Sequence, residues 1–357
     1  MTNCSVVLVS YHTGPVLFAA IKSVLRQPKL AELIVVDNGN PLTVVTRLQQ
    51  MTLTESRLTL VTGHGNIGFA RGCNLGAARA TGGYLLLLNP DCLLPPDALT
   101  DMMSAFDAMP EATLAGCWLQ NPDGSEQRGG RRQLLTPETA LVEALHLHRF
   151  LKKYARLNNH ETEMPHETHE VEAISGAFMC LKTEDYRRLG GLDEGFFLHV
   201  EDLDFCMRVK KSGGKIICVP RVQVTHMLST SGETTSRFVE RHKTKGFIRY
   251  FHKHFTDEVP LPLLWLVDTA AVVRYWLKTT MGILHKWFRP QRRLKHTDAA
   301  KRLMALASGL ADLPEKHDWQ EKAILVTGAT SQIGLCVVKR MIASGASVLA
   351  LSRGEPI

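Results

Sequence analysis

Acidic residues stand at the ends of short apolar runs, where carboxylate chemistry is easiest to arrange. ELIVVDNGN delivers Asp37 just after Leu33 to Val36, and GGYLLLLNPD delivers Asn89-Pro90-Asp91 just after Tyr84 to Leu88. A short apolar run closed by Pro reads as a buried parallel strand, and open α/β sheets bind their ligands beyond the C-terminal ends of such strands. There Asp37 can accept hydrogen bonds from a base N–H or a ribose hydroxyl, or it can cap its own Asp-Asn-Gly turn; spacing alone leaves both open. Pro90 stiffens the turn, so Asp91 is aimed rather than loose. A second acidic group, Glu201-Asp202-Leu203-Asp204, opens a helical pattern that runs to Lys211. Acids favour a helix's first turn, and Asp204 is the one expected to cap it.

Between the first two acids, HGNIGFARGCNLG sets Gly68, Gly72 and Gly76 at every fourth position. One helix face is thereby left without side chains and can approach a nucleotide or a neighbouring strand closely. On the same helix Arg71 and Asn74 are the residues able to make directional contacts with a diphosphate or base; the plainer alternative is an exposed Arg and a helix-interior Asn.

The elements that must position these groups follow from the pattern. Ser5 to Ser10 is a strand ending in Ser10-Tyr11, Val16 to Arg26 a helix, and Arg57 to Val61 a third strand. Strand, helix and strand with a carboxylate at its tip make half of a doubly wound nucleotide-binding sheet. Further on come a helix from Asp97 to Met109, a strand from Leu114 to Leu119, a polar turn at Asn121-Pro122-Asp123-Gly124, and a basic loop from Arg128 to Arg132. That loop could clamp phosphates or be a solvated segment. His160, His166 and His169 lie among glutamates without metal-ligand spacing, so Asn158 to Glu170 reads as a solvated insertion. Ser175 to Leu181 is a strand, and Val222 to Thr225 a last one that delivers His226.

Taken together, these motifs resemble the signature of family 2 glycosyltransferases, in particular the rhamnosyltransferase-like branch. The N-x-G-F-A-x-G-x-N-x-G run spans Asn66 to Gly76 and leads through an apolar strand into N-P-D; G-G-L-D-E-x-F-F spans Gly190 to Phe197 and is followed by E-D-x-D at Glu201 to Asp204. The resemblance covers about Ser5 to Lys253. It implies a GT-A fold, a Rossmann-like α/β domain with a mainly parallel sheet. It implies a donor pocket of Ser10, Tyr11, Asp37, Asn66, Gly68, Arg71, Asn74, Asn89 and Asp91, and an acceptor region at Ser175, Gly176 and Glu201. Asp202 matches the general base of that branch, and one displacement inverts the anomeric centre. Asn89-Pro90-Asp91 occupies the place of the D-x-D motif that binds Mg²⁺ or Mn²⁺; a neutral Asn89 stands where other members carry Asp, and His226 would complete the metal shell with Asp91. The implied donor is a nucleotide-diphospho-sugar, dTDP-L-rhamnose, and the implied acceptor a lipid-linked saccharide of a surface polysaccharide.

Composition is that of a soluble globular protein: 357 residues, 45% hydrophobic and 22% charged. The net charge of +7 is uneven, since Arg237 to Arg302 holds 15 Lys/Arg against 5 Asp/Glu and the remainder is acidic, which argues against nucleic acid as a partner. The eight cysteines form no C-x-x-C pair and most sit in apolar runs, so they read as buried hydrophobes of a reducing cytoplasm. Domains are expected at 1–235 (transferase), 236–302 (basic amphipathic helices), 303–321 (linker) and 322–357. The second, with Trp265, Trp276 and Trp287 interrupted by Asp268, Arg274 and Lys278, suits a helix lying on an anionic membrane surface, which would put the protein peripherally on the inner face of the cell membrane; a dimerisation helix or a lid packed over the catalytic domain are the alternatives. The last resembles the opening of a short-chain dehydrogenase or nucleotide-sugar epimerase, T-G-A-T-x-x-I-G at Thr327 to Gly334. About 35 residues of such a fold cannot bury a core. The competing readings are therefore the front part of a bifunctional protein with an NAD(P)-dependent activity further on, and a non-catalytic sugar-binding relative.

Overall fold

A computed structural model of the chain describes residues 3–144, 164–227, 236–288, 323–327 and 347–351. It divides into two compact units, Met1–Pro290 and Gln291–Ile357. In the first, β1 (Cys4–Ser10) is buried along its whole length, as a run of Val and Leu between two helical layers must be. It is followed by α1 (Val16–Leu25), β2 (Leu30–Asp37), α2 (Leu42–Thr54), β3 (Leu58–Val61), α3 (Phe69–Ala77) and β4 (Tyr84–Leu88). These strands pair in parallel in the order β3, β2, β1, β4. Their C-terminal ends, at Ser10, Asp37, Val61 and Leu88, therefore share one edge.

The second half of the sheet is mixed. After β5 (Cys92–Leu93), α4 (Ala98–Ala108) and β6 (Ala112–Gln120) come the short β7 (Arg131–Arg132), α5 (Pro137–Ala144), β8 (His169–Glu170) and β9 (Ala173–Ile174). β10 (Phe178–Lys182) runs antiparallel between β4 and β6. Beyond α6 (Thr183–Arg188) and α7 (Glu201–Lys211), β11 (Lys215–His226) lies parallel to β6 and ends against β5, pairing His226 with Cys92. β11 begins earlier than the expected Val222 because the register shifts between Val219 and Gln223, at Pro220-Arg221, and splits one strand into two apolar pieces. β10 begins later than the expected Ser175, since Ser175-Gly176-Ala177 turns into it, with Phe178 N–H donating to Ser175 O at 3.3 Å.

α3 lies directly on β1. A Cβ at Gly72 would come 2.8 Å from Val9 Cγ1, and one at Gly76 would press still closer on Val7. The side-chain-free face thus approaches a strand and not a nucleotide. Two helices close the unit: α8 (Ser236–Phe255), anchored by the fully buried Tyr250 and by Phe251, and α9 (Leu261–Phe288), anchored by Leu264 and Val267. Burying each such side chain stabilises by roughly 1.5–3 kcal/mol. Among the described residues no helix is long and apolar enough to cross a membrane. In the second unit β12 (Ala323–Thr327) pairs in parallel with β13 (Ser347–Leu351), the pairing expected of strand, helix, strand. The glycine-rich turn and helix expected between them lie outside the described residues, as does the linker.

Candidate active site

The turn after β4 is held from both sides. Asn89 N–H donates to Ala177 O at 2.9 Å, and Asp91 O accepts from Met227 N–H at 3.0 Å. β4, the start of β10 and the end of β11 thus converge, and Asp91 Oδ1 lies 3.1 Å from His226 Nε2 with both side chains almost fully buried. Asn89 Nδ2 is 3.4 Å from the same nitrogen. The opposite ring nitrogen, Nδ1, is 2.7 Å from Gln127 Oε1. Cys92 is close enough to share a cation with Asp91 and His226. However, burial pushes its thiol well above the usual range, and Sγ–H points to Ala177 O at 3.6 Å. A hard divalent ion would therefore be held by one carboxylate and one imidazole, with Asn89 offering an amide oxygen if its side chain turned. The remaining places would go to donor oxygens, a set that Mg²⁺ and Mn²⁺ accept.

Asp202 stands one residue away along the chain that Asn89 touches. Gly176, just before Ala177, donates its N–H to Asp202 Oδ2 at 2.9 Å, and Leu203 N–H donates to Oδ1 at 2.8 Å. Arg132, brought up by the pairing of β7 with β9, makes a short ion pair with Oδ2. Burial pushes the Asp202 pKa up, but the Arg132 guanidinium and the two N–H donors outweigh it and hold the carboxyl below its ordinary value. The segment leading in is strained: His199 and the β-branched Val200 both take positive φ, at 67° and 74°. At the start of α7 Glu201 is buried, while Asp202 keeps a side chain that is 14% exposed. Glu201 is buried, with Oε2 lacking a hydrogen-bond partner, and burial followed by the neighbouring Asp202 charge raises its pKa. Expected in the acceptor region, it is instead placed inside. Ser175 stays at the rim, where its hydroxyl accepts from Ala177 N–H at 3.2 Å.

Asp204 does not cap α7. It is fully buried and docks α8, with Oδ1 at 2.8 Å from His254 Nε2 and 2.7 Å from Lys253 Nζ, and Oδ2 at 2.9 Å from Arg208 Nε. The start of the helix is Val200, whose carbonyl accepts from Asp204 N–H. The carboxylate is thus free to bind three cationic or polar neighbours across the helix pair.

Several residues expected in the donor pocket are spent on the scaffold. Ser10 is buried and bonds Thr13 Oγ1 at 3.0 Å and Asn40 Oδ1 at 3.2 Å. Asp37 Oδ1 accepts from Gly39 N–H and from both the backbone and side chain of Asn40, and Oδ2 accepts from Thr62 at 2.7 Å. Burial raises its pKa, yet these donors more than offset that and keep it ionised. Asp37 therefore caps its own turn, with lone-pair capacity left only on Oδ2. Asn66 Oδ1 accepts from Gly68 N–H at 3.1 Å, and Gly68, at φ 88°, is glycine because a Cβ would strike Phe197 O. Asn74 has every amide position in use: it accepts from Tyr186 Oη and Leu192 N–H and donates to Leu192 O and Glu194. Arg71 pairs with Glu194 at 2.9 Å on the surface. What remains beside Asp37 is a surface bordered by Tyr11, Gly39 and Asn66, since a Cβ on Gly39 would touch the Tyr11 ring at 3.8 Å and Asn66 N at 3.9 Å.

Two residues were not singled out for this site, Gln127 and Arg132. Both come from the polar turn and basic loop after β6, and the density of Arg and Gly there was their only signal. In the structure that loop is ordered around Arg131, which pairs with Glu126 at 2.9 Å.

A parallel-edged α/β sheet carrying an acid after β4, with a second acid one strand away at the head of α7, defines a GT-A glycosyltransferase. Residues 5–176 match the model of Glycosyl transferase family 2, so this part of the chain is a domain of that family, and the protein is a glycosyltransferase. The chain is 26% identical over 293 residues to the N-acetylglucosaminyl-diphospho-decaprenol L-rhamnosyltransferase of Mycobacterium tuberculosis, covering 75% of this chain and 90% of that protein. It is 24% identical over 230 residues to the rhamnosyltransferase WbbL of Escherichia coli K12, covering 61% and 81%. Among solved structures, GalNAc-T7 with UDP, GalNAc and Mn²⁺ superposes with a TM-score of 0.52 at 17% identity, over 73% of this chain and only 52% of that one. The mannosyltransferase PcManGT of Pyrobaculum calidifontis, with GDP-Man and Mn²⁺, gives 0.50 at 14% identity over 96% and 85%. These likenesses are of fold.

Proposed function

We propose that the protein transfers a hexose, L-rhamnose from dTDP-L-rhamnose, with inversion onto a lipid-linked saccharide in surface polysaccharide synthesis. The observation that carries this reading is Ala177, whose carbonyl holds Asn89 while its neighbour Gly176 holds Asp202. A diphosphate group at Asp91 and an acceptor hydroxyl at Asp202 would then flank one anomeric carbon. The names of the two curated relatives support the choice of rhamnose and of a lipid diphosphate acceptor.

In this reading the base sits against the surface of Tyr11, Gly39 and Asn66, with Asp37 Oδ2 able to accept from it or from the ribose. Asp91 and His226 would hold a divalent cation, which would supply positive charge against that developing on the departing nucleoside diphosphate. Asp202 takes the proton of the acceptor hydroxyl as that oxygen bonds to the anomeric carbon. With one displacement and one base the configuration inverts. The test is transfer from a panel of dTDP-, UDP- and GDP-sugars to a synthetic polyprenyl-diphospho-saccharide. Transfer from dTDP-L-rhamnose above the others is expected, and preference for a UDP- or GDP-sugar would replace the donor.

The lipid end of such an acceptor would put the enzyme at an anionic membrane, and two helices suit that surface. α8 sets Arg237, Arg241, Lys245, Arg249 and Lys253 four residues apart along one exposed row. α9 exposes Trp265 at 63% and Trp276 at 54%, with Leu261, Val272, Val273 and Leu277 beside them. Replacing Trp265 and Trp276 together by Glu should release the protein from anionic vesicles in a flotation assay while transfer to a short soluble acceptor continues. Undiminished vesicle binding would move the contact elsewhere.

A further inference from the structure

The turn after β6, Asn121-Pro122-Asp123-Gly124-Ser125, has no part in the steps above, yet it begins a line of hydrogen bonds that ends at His226. The direction of that line is set by its outer end. A carboxylate only accepts, so the Ser125 hydroxyl donates to Asp123 Oδ1, 2.6 Å away. The Ser125 oxygen then accepts from Asn121 Nδ2 at 2.9 Å, and the same amide nitrogen lies 3.4 Å from Glu126 O. Asn121 Oδ1 is thereby turned toward Gln127 and receives Nε2–H at 3.5 Å. With its nitrogen committed there, Gln127 presents Oε1 to His226, and Nδ1–H donates to it at 2.7 Å.

A neutral imidazole carries one N–H, so the other nitrogen must hold a lone pair. Nε2 points that lone pair at Asp91 Oδ1, 3.1 Å away, and the nearby Asn89 Nδ2 at 3.4 Å is a donor, as an accepting Nε2 requires. Two buried acceptors converging in this way make a place for a cation. Gln127 and His226 are 6% and 8% exposed, so water is poorly placed to take over the glutamine's part.

We propose that Gln127 is a positioning residue for metal binding: it holds the His226 proton on Nδ1 and so keeps Nε2 open for a divalent cation shared with Asp91. The proposal rests on the cation site of the transferase reading. The experiment is titration of the full chain with Mn²⁺, followed by electron paramagnetic resonance, with and without dTDP, for the wild type, Gln127→Leu and Gln127→Glu. Loss of the acceptor in Gln127→Leu should weaken Mn²⁺ binding about 10- to 100-fold, the scale on which outer partners of metal-bound histidines act. Gln127→Glu, which restores an acceptor, should recover it, and dTDP affinity in chelator should be the same in all three. Equal Mn²⁺ affinity in Gln127→Leu, or a Glu variant as weak as the Leu variant, overturns the proposal.

A second measurement does not depend on the variants folding. Imidazole nitrogen NMR of the metal-free wild type should find the neutral His226 ring with its proton on Nδ1, and a neutral ring with its proton on Nε2 overturns the proposal. Transfer by a wild type that binds no Mn²⁺ would sink this proposal and leave the transferase reading standing. Absence of both transfer and nucleotide binding would remove the reading itself.

Discussion

Asp202→Asn should lower turnover by at least about 100-fold, the lower end of what loss of a general base costs, and leave dTDP affinity unchanged. The substitution keeps the shape, but its single oxygen can accept on only one side, from Gly176 and Arg132 or from Leu203, and the amide NH2 meets the other donor. What it removes is the ability to take a proton. The same geometry sets the pH dependence. Since Arg132 and two N–H groups hold the Asp202 carboxyl below its ordinary value, the base stays ionised into acid, and the acid limb of kcat/KM should fall below the usual carboxylate range. Arg132→Gln removes the largest of the lowering influences, so that limb should move to higher pH. Glu201 is told apart by its starting point: burial and the Asp202 charge already hold it above its ordinary value, so it cannot give the wild type an acid limb below the carboxylate range. Turnover within a few fold of wild type in Asp202→Asn, or an acid limb that Arg132→Gln does not move, would take the base role from Asp202.

Much of this site was legible before any coordinates, and the reason is local. Strands such as Tyr84 to Leu88 are short, apolar and ended by Pro, so their tips, and with them Asp91, could be placed from the chain alone. The convergence of Asp91 with His226, from positions 135 residues apart, rested on family resemblance, and the pairing of His226 with Cys92 now supplies its physical cause. The donor pocket was less legible. Ser10, Asp37, Asn66 and Asn74 have the right chemistry for a nucleotide, but polar groups beside turns and loops must first satisfy the backbone around them, and in each case a turn or loop claims most of that capacity. Asn74 is the extreme case, tied to Leu192 and Tyr186 across more than 100 residues of sequence that no short-range pattern connects. Asp204 misled for a similar reason, because an acid in a first helical turn reads as a cap until His254 and Lys253 arrive from α8. α2 leaves little trace in the pattern, since Leu48 is its one buried residue.

Asp91→Ala should abolish the gain in nucleotide affinity that Mn²⁺ confers and cut turnover by about 100- to 1000-fold, the scale of losing one group that stabilises charge in the transition state. The fold should survive, because Met227 is held by the Asp91 backbone carbonyl and not by its side chain. No neighbour can take over. Cys92 is a buried thiol already pointing at Ala177, Asn89 is neutral, and His226 alone gives one uncharged ligand. His226→Ala should therefore be the milder change in metal affinity, since it removes a neutral donor and leaves the carboxylate. The missing second carboxylate provides the reciprocal check: Asn89→Asp should tighten Mn²⁺ binding, by placing a second negative charge beside His226 Nε2. If Asp91→Ala keeps the full Mn²⁺ dependence of nucleotide binding, the cation is held elsewhere, and the convergence of Asp91 with His226 is a structural ion pair at the edge of β11.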